Sequence, residues 1–182
     1  MTADSLSERH RRALLIIALS SVLVLLTDQL VKFWVVNNLP EGEPVPVIGE
    51  FLQWLFVRNS GAAFSIASGS TWIFTILAAS VGIAIIWMSR RITSALWALF
   101  LGLLLGGTLG NLTDRLFREP GFAVGHVIDF ISTPWMIPAI YNIADIAIVS
   151  SMVILIWLII RGIGFDGTMQ NKRVRAGEEI AK

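Results

Sequence analysis

Two aspartates, Asp129 and Asp145, stand out in an otherwise apolar part of the chain, the stretch V-I-D-F-I-S-T-P-W-M-I-P-A-I-Y-N-I-A-D from Val127 to Asp145. Asp129 falls in a short connection broken by Pro134 and Pro138, and Asp145 lies just inside an apolar run that continues to Ile160. An ionisable group in such a run is expensive and reads by default as functional. Two carboxylates at close range cannot both ionise easily, so they share a proton and their apparent pKa values separate. Such a pair can serve as base and acid together. One carboxylate takes a proton from water as the water attacks a carbonyl, and the other protonates the carbonyl oxygen. This chemistry needs neither a metal nor a nucleophilic side chain.

Composition narrows the alternatives. The 182 residues are 55% hydrophobic and 15% charged, with a mean hydropathy of +0.73. A soluble domain carries more charge and less apolar residue, so the chain reads as an integral membrane protein. There is no Cys, hence no thiol nucleophile, disulfide or thiolate site. The only histidines are His10 and His126, too few for a His-rich metal centre. Neither H-E-x-x-H nor G-x-S-x-G occurs, which disfavours a zinc peptidase and a serine elbow. No cofactor and no metal are expected, although carboxylates, as hard ligands, leave a cation site chemically open.

The elements that must position the two aspartates follow from the apolar runs. Residues 1–12 are polar and basic and are expected on the cytoplasmic side. Four membrane helices are predicted at about residues 13–36, 71–89, 95–115 and 140–161, within one membrane-embedded unit spanning 13–161. The first is a retained helix rather than a cleaved leader, because no small-x-small site follows it and the run resumes as L-V-K-F-W-V-V. Asp28 and Lys32, four apart near its end, share a helix face. Residues 40–64, punctuated by Pro40, Gly42, Pro44, Pro46 and Gly49, predict a small β-rich extracytoplasmic element between helices one and two, with Pro44 and Pro46 on an edge. Gly102 and Gly106 on the third run predict close helix packing. Residues 162–182 read as a loosely ordered cytoplasmic tail, and its Lys172–Arg175 basic group as an anchor to anionic lipid rather than a nucleic-acid site.

Charge asymmetry orients the bundle. Of the 14 Lys and Arg, ten (Arg9, Arg11, Arg12, Arg90, Arg91, Arg161, Lys172, Arg173, Arg175 and Lys182) fall on the side of the two termini, which places both termini in the cytoplasm. Asp28, Asp114, Asp129 and Asp145 then all gather near the outer interface, with Asp145 roughly 8 Å inside the start of its run. An ion- or proton-coupled transporter is the rival reading, but it predicts acids spread through the membrane depth, and none lies in the inner half. A structural scaffold leaves the buried acids unexplained.

In order along the chain, Asp28, Gln29 and Lys32 form D-Q-x-x-K; Asn59, Gly61, Ala62, Ala63 and Phe64 form N-x-G-A-A-F; Gly107, Gly110, Asn111, Asp114 and Arg115 form G-x-x-G-N-x-x-D-R; Val127, Asp129, Phe130 and Ile131 form V-x-D-F-I; and Asn142, Ala144 and Asp145 close an N-x-A-D. Together these motifs resemble the lipoprotein signal peptidase family, also called signal peptidase II. Tyr141 stands where that family usually has Phe. The resemblance implies an aspartic endopeptidase of the bacterial inner membrane that removes signal peptides from diacylglyceryl-modified prolipoproteins, cutting just before the lipidated cysteine. It implies Asp129 and Asp145 as the catalytic pair and the cyclic peptide globomycin as an inhibitor held in a groove open to lipid. Around that pair, Asn111 and Asn142 are expected to donate or accept at the scissile peptide. Asp114 and Arg115 are expected to brace the site as a helix-end pair, Asn59 and the loop from Gly61 to let the peptide approach closely, and Asp28 and Lys32 to fix helix one or meet lipid headgroups. Besides substrate, lipid and inhibitor no partner is expected, and the chain is read as a monomer.

Overall fold

The computed structural model describes residues 3–61 and 71–169. Helix α1 (Ala3–Asn38) leads into strands β1 (Pro44–Ile48) and β2 (Leu52–Asn59). Helices α2 (Thr71–Ser89) and α3 (Ala95–Phe117) follow, then strands β3 (Val127–Ser132) and β4 (Ile140–Tyr141), and finally α4 (Ile143–Ile160). Among the described residues, four helices are long and apolar enough to cross a membrane. The expected class, a four-helix membrane bundle with a small sheet, is the class observed.

Helix α3 is the hub and packs against α1, α2 and α4. Its small residues make this possible. A Cβ at Gly102 would sit 1.9 Å from Ser20 Oγ, one at Gly106 2.8 Å from the Ser21 carbonyl oxygen, and one at Gly107 2.4 Å from the Ala144 carbonyl oxygen. Backbones at such separations gain dispersion contacts that larger side chains would forbid. Beneath them lies an apolar core of Ile17, Ile85, Ile92, Trp97, Leu101 and Leu158. Outward-facing Leu19, Leu23, Leu30, Ile83, Val149 and Ile159 are exposed, as a lipid-facing surface requires.

The sheet corrects the sequence reading in one respect. Its order is β1-β2-β3-β4, antiparallel throughout, so half its strands come from the segment between α3 and α4 rather than from residues 40–64 alone. Asp129, expected in an irregular Pro-broken connection, sits on β3. The β-branched and aromatic V-I-D-F-I wins over the prolines, which begin only at Pro134. All six residues of β3 are buried, and Ile128, Phe130 and Ile131 pack with Val35 and Phe56 against the end of α1. Strand β1, carrying Pro44 and Pro46, is the edge strand.

Three boundaries also move. Helix α4 begins at Ile143, not at residue 140, because Ile140 and Tyr141 pair with β3 and Asn142 caps the helix. Helix α1 reaches back to Ala3, through a segment expected as a separate polar terminus; Arg12 pairs with Glu8 one turn away and His10 Nδ1 lies 2.9 Å from the Ile92 carbonyl oxygen. The supposed loose tail is ordered to Met169: Thr93 and Ser94 N–H groups donate to the Phe165 carbonyl at 3.2 and 3.1 Å, and the Phe165 ring meets Trp97 edge-on. The Lys172–Arg175 group lies outside the described residues.

The close α1–α3 contact makes a prediction. Gly106→Ala should lower the thermal midpoint by several degrees in detergent, because the added methyl meets backbone that cannot yield. Gly82→Ala, with open space around its Cβ, should be neutral or slightly stabilising through helix propensity. Thermal unfolding followed by circular dichroism decides it.

Candidate active site

The site is assembled where the sheet meets the ends of α1 and α3 and the start of α4. Asn142 is the N-cap of α4. Its side-chain oxygen accepts from Asp145 N–H at 3.0 Å, while Asp145 Oδ2 accepts from Asn142 N–H at 3.1 Å, a reciprocal capping box. Asp145 therefore stands in the first turn of α4, half-buried, and not deeper in the span as the apolar run suggested. The N-x-x-D spacing carried that information, since a capping residue followed three positions later by an acid marks a helix start.

The same Asn142 reaches the second carboxylate. Its Nδ2 donates to Asp129 Oδ1 at 2.6 Å and to Asn111 Oδ1 at 3.1 Å. Asn111 Nδ2 donates to Asp145 Oδ1 at 2.8 Å. Asn59 Nδ2 donates to Asp129 Oδ2 at 2.7 Å, and Asn59 Oδ1 takes the Gly61 N–H at 2.8 Å. Thus Asn142 joins the two aspartates, its side-chain amide on the Asp129 carboxylate and its backbone N–H on that of Asp145, with Asn59 and Asn111 flanking them. Asn111 and Asn142, expected at the scissile peptide, each donate an amide N–H to a carboxylate of the pair and so position it. Gly61 has φ +82°, and a Cβ there would meet Phe74 Cδ2 at 2.8 Å, so only glycine fits. Ala62, Ala63 and Phe64 lie outside the described residues.

Behind the pair is a fully buried ionic brace. Lys32 Nζ contacts Asp28 Oδ2 and Asp114 Oδ2, each at 2.8 Å, and donates to Asn111 Oδ1 at 3.0 Å. Asp28 Oδ1 accepts Ala144 N–H at 3.0 Å and Asp114 Oδ2 accepts Ile128 N–H at 3.1 Å. Gln29 Nε2 bridges Asp28 Oδ2, Asp114 Oδ1 and the Gly110 carbonyl. Lys32 is 0% exposed, which excludes the lipid-headgroup role. Asp114 does not pair with its neighbour Arg115 but with Lys32 and with Arg118, at 2.5 Å. Residues 114 and 115 point about 100° apart on a helix, whereas 114 and 118 share a face. Arg118 was missed by motif reading, and this four-residue spacing was its available signal. Arg115 lies over the Phe74 ring, 5.2 Å from its centroid, and its buried Nη1 has no hydrogen-bond partner among the described residues. It is electrostatically coupled to Asp129 and Asp145, an unused donor group facing the pair.

Burial dominates the electrostatics of Asp129 and pushes its carboxyl up to about 6; the Asn59 amide opposes this, the charge of Asp145 adds to it, and the Asn142 amide opposes it again. A cavity of about 270 Å³ opens beside Asp145, walled by Met136, Ile137, Tyr141, Ile146, Val149 and Ser150. Its wall is almost wholly apolar, and Val149 and Ile146 continue onto the exposed face of α4. No group of three or more acids and histidines able to hold a metal occurs among the described residues.

The brace and the raised carboxyl each yield a prediction. Lys32→Met leaves Asp28 without a countercharge in a buried site, and stability should fall by about 3–5 kcal/mol; adding Asp28→Asn should recover part of the loss in thermal midpoint. For Asp129, the folded state holds its proton more tightly than the unfolded chain, whose value is near 3.8. Stability therefore falls as pH rises from about 4 to about 6 and levels off above that. Asp129→Asn should flatten the profile of thermal midpoint against pH across that window.

The signal peptidase II model matches residues 20–161. A lipoprotein signal peptidase of Leifsonia xyli subsp. xyli is 57% identical over 87% of this chain and 73% of its own length. One from Mycobacterium avium is 44% identical over 91% and 90%. A bacterial membrane enzyme solved by the in meso method at 2.3 Å superposes with a TM-score of 0.71 at 29% identity, covering 80% of this chain and 88% of that one. With four helices long and apolar enough to span a membrane, the chain belongs to the signal peptidase II family of multi-pass membrane peptidases.

Proposed function

We propose that the protein removes signal peptides from lipoprotein precursors by an aspartic mechanism, with Asp129 and Asp145 as the catalytic pair. The observation that carries this reading is Asn142, whose side-chain amide donates to the Asp129 carboxylate and whose backbone N–H donates to that of Asp145. It aligns two carboxylates at the outlet of an apolar cavity without neutralising either.

Roles divide by environment. Asp145, in the first turn of α4 with its carboxylate accepting from Asn111 Nδ2 and from the Asn142 N–H, is the partner placed to act as base. It takes a proton from water, whose oxygen attacks the scissile carbonyl. Asp129, raised by burial, begins protonated and gives that proton to the carbonyl oxygen. Collapse of the resulting diol returns a proton to Asp129, and Asp145 protonates the departing amine, so the pair ends ready for another turn. Arg115, with Nη1 unsatisfied, supplies a donor to a substrate carbonyl. The cavity beside Asp145 takes apolar substrate atoms arriving from the bilayer.

By resemblance, the precursor carries a diacylglyceryl group and is cut just before the modified cysteine, with both termini cytoplasmic and the site near the outer leaflet of a bacterial inner membrane. The ion- or proton-coupled transporter has no supporting observation: Asp28, Asp114, Asp129 and Asp145 form one connected cluster rather than a path. The sheet, which supplies Asp129 and Asn59, clamps the substrate against the pair.

The test is cleavage of a purified diacylglyceryl prolipoprotein by the parent and by Asp129→Asn and Asp145→Asn, each checked for folding by globomycin-dependent thermal stabilisation. The parent should cut before the modified cysteine, and each variant should lose activity by about 10²- to 10⁴-fold. Full activity in a folded variant removes that residue from the mechanism.

A further inference from the structure

The opposite end of the bundle holds a second polar site, which the peptidase reading leaves unused. There the start of α1, the α2–α3 turn and the segment through Met169 enclose a cavity of about 350 Å³, walled by Arg9, Arg12, Thr93, Ser94, Ala95 and Gly167 among others. Its floor is the N-terminus of the 23-residue helix α3. Ala98 N–H donates to the Ser94 carbonyl at 2.9 Å. The N–H groups ahead of it have no acceptor within the helix.

Ser94 occupies the N-cap with φ −88° and ψ 129°, yet its side chain makes no capping bond. A serine in this position ordinarily turns its oxygen onto the N–H two or three residues on. Here the residue is only 7% exposed, it borders the cavity, and its hydroxyl has no hydrogen-bond partner among the described residues. A hydroxyl that opens into the cavity from an otherwise buried serine, beside a helix N-terminus, is a donor set without its acceptor.

The charge around it suits an anion. Arg12 has Glu8 at 3.9 Å, but the two side chains are 78% and 74% exposed, a pairing that water and salt weaken. Arg9 borders the same wall and has an interaction of its own. The acid of the adjoining turn, Asp166, directs Oδ1 to Thr168 N–H at 3.0 Å and to its hydroxyl at 2.8 Å. We propose that this cavity binds a phosphate-bearing anion, with Ser94 Oγ and the first N–H groups of α3 as donors and Arg12 as countercharge. A phospholipid headgroup and free phosphate present the same oxyanion. The charge count that assigns this end to the cytoplasmic leaflet makes a headgroup the expected source.

Full-length protein in detergent is titrated with short-chain phosphatidylglycerol, with short-chain diacylglycerol lacking phosphate, and with inorganic phosphate, reading thermal midpoint and bound mass. Phosphatidylglycerol should raise the midpoint and diacylglycerol should not. Ser94→Ala and Arg12→Gln should each weaken that binding about five- to tenfold, while cleavage of the lipidated substrate stays at the parent's rate. Ser94→Ala should also keep the parent's midpoint without lipid, since its hydroxyl caps nothing. Binding of phosphatidylglycerol alone identifies a headgroup site; equal or better binding of inorganic phosphate, sensitive to the same variants, identifies a free-phosphate site. If diacylglycerol stabilises as well as phosphatidylglycerol, or both variants bind like the parent, the proposal is overturned.

Discussion

The structure depends on one buried ammonium. Lys32 Nζ has three hydrogens, and Asp28, Asp114 and Asn111 take them. A buried ion pair is tolerable only when every donor and acceptor is satisfied. Here the remaining carboxylate oxygens accept the backbone N–H of Ala144 and of Ile128, and the Arg118 and Gln29 side chains. Those partners belong to α1, α3, β3 and the first turn of α4. Satisfying one charge therefore fixes how four elements sit relative to one another, and with them where Asp129 and Asp145 stand.

Four acids meet at this end of the bundle, and the polar groups around them sort them into two kinds. Asp28 and Asp114 are held by cations. Asp129 and Asp145 have no salt bridge among the described residues and are held by Asn59, Asn111 and Asn142. An amide orients a carboxylate without cancelling its charge, so the second pair keeps its freedom to exchange protons. Asn111 belongs to both sets, giving its oxygen to Lys32 and its nitrogen to Asp145. The brace and the Asp129–Asp145 pair thus share a residue, and a disturbance of one reaches the other.

The sheet gives the pair its second support. A lone loop in this place would leave backbone polar groups to be satisfied one by one. Strand β3 instead pairs on both edges, with Asp129 opposite Val57 on β2. Its other residues bury apolar side chains against the end of α1. A strand fixed on both edges and both faces holds the Asp129 side chain more firmly than a connection could.

The sequence by itself determined the class of the molecule, since four long apolar runs admit only spanning helices. Which acids stand apart was legible too, because acids in such runs are rare and Asp28, Asp114, Asp129 and Asp145 gather at one end. Close α1–α3 packing was legible in Gly102 and Gly106. Only the tertiary structure decided the rest. That Asp129 rides a strand completed by β2, that Asp114 chooses Lys32 and Arg118 over Arg115, and that Asn142 links the two aspartates all depend on partners distant in the chain. Lys32 and Asp114 are separated by 82 positions yet lie 2.8 Å apart. Periodicity reports which face of an element is apolar, but which polar group on that face meets which other is settled by how the helices close on one another, and nothing local in a sequence encodes that.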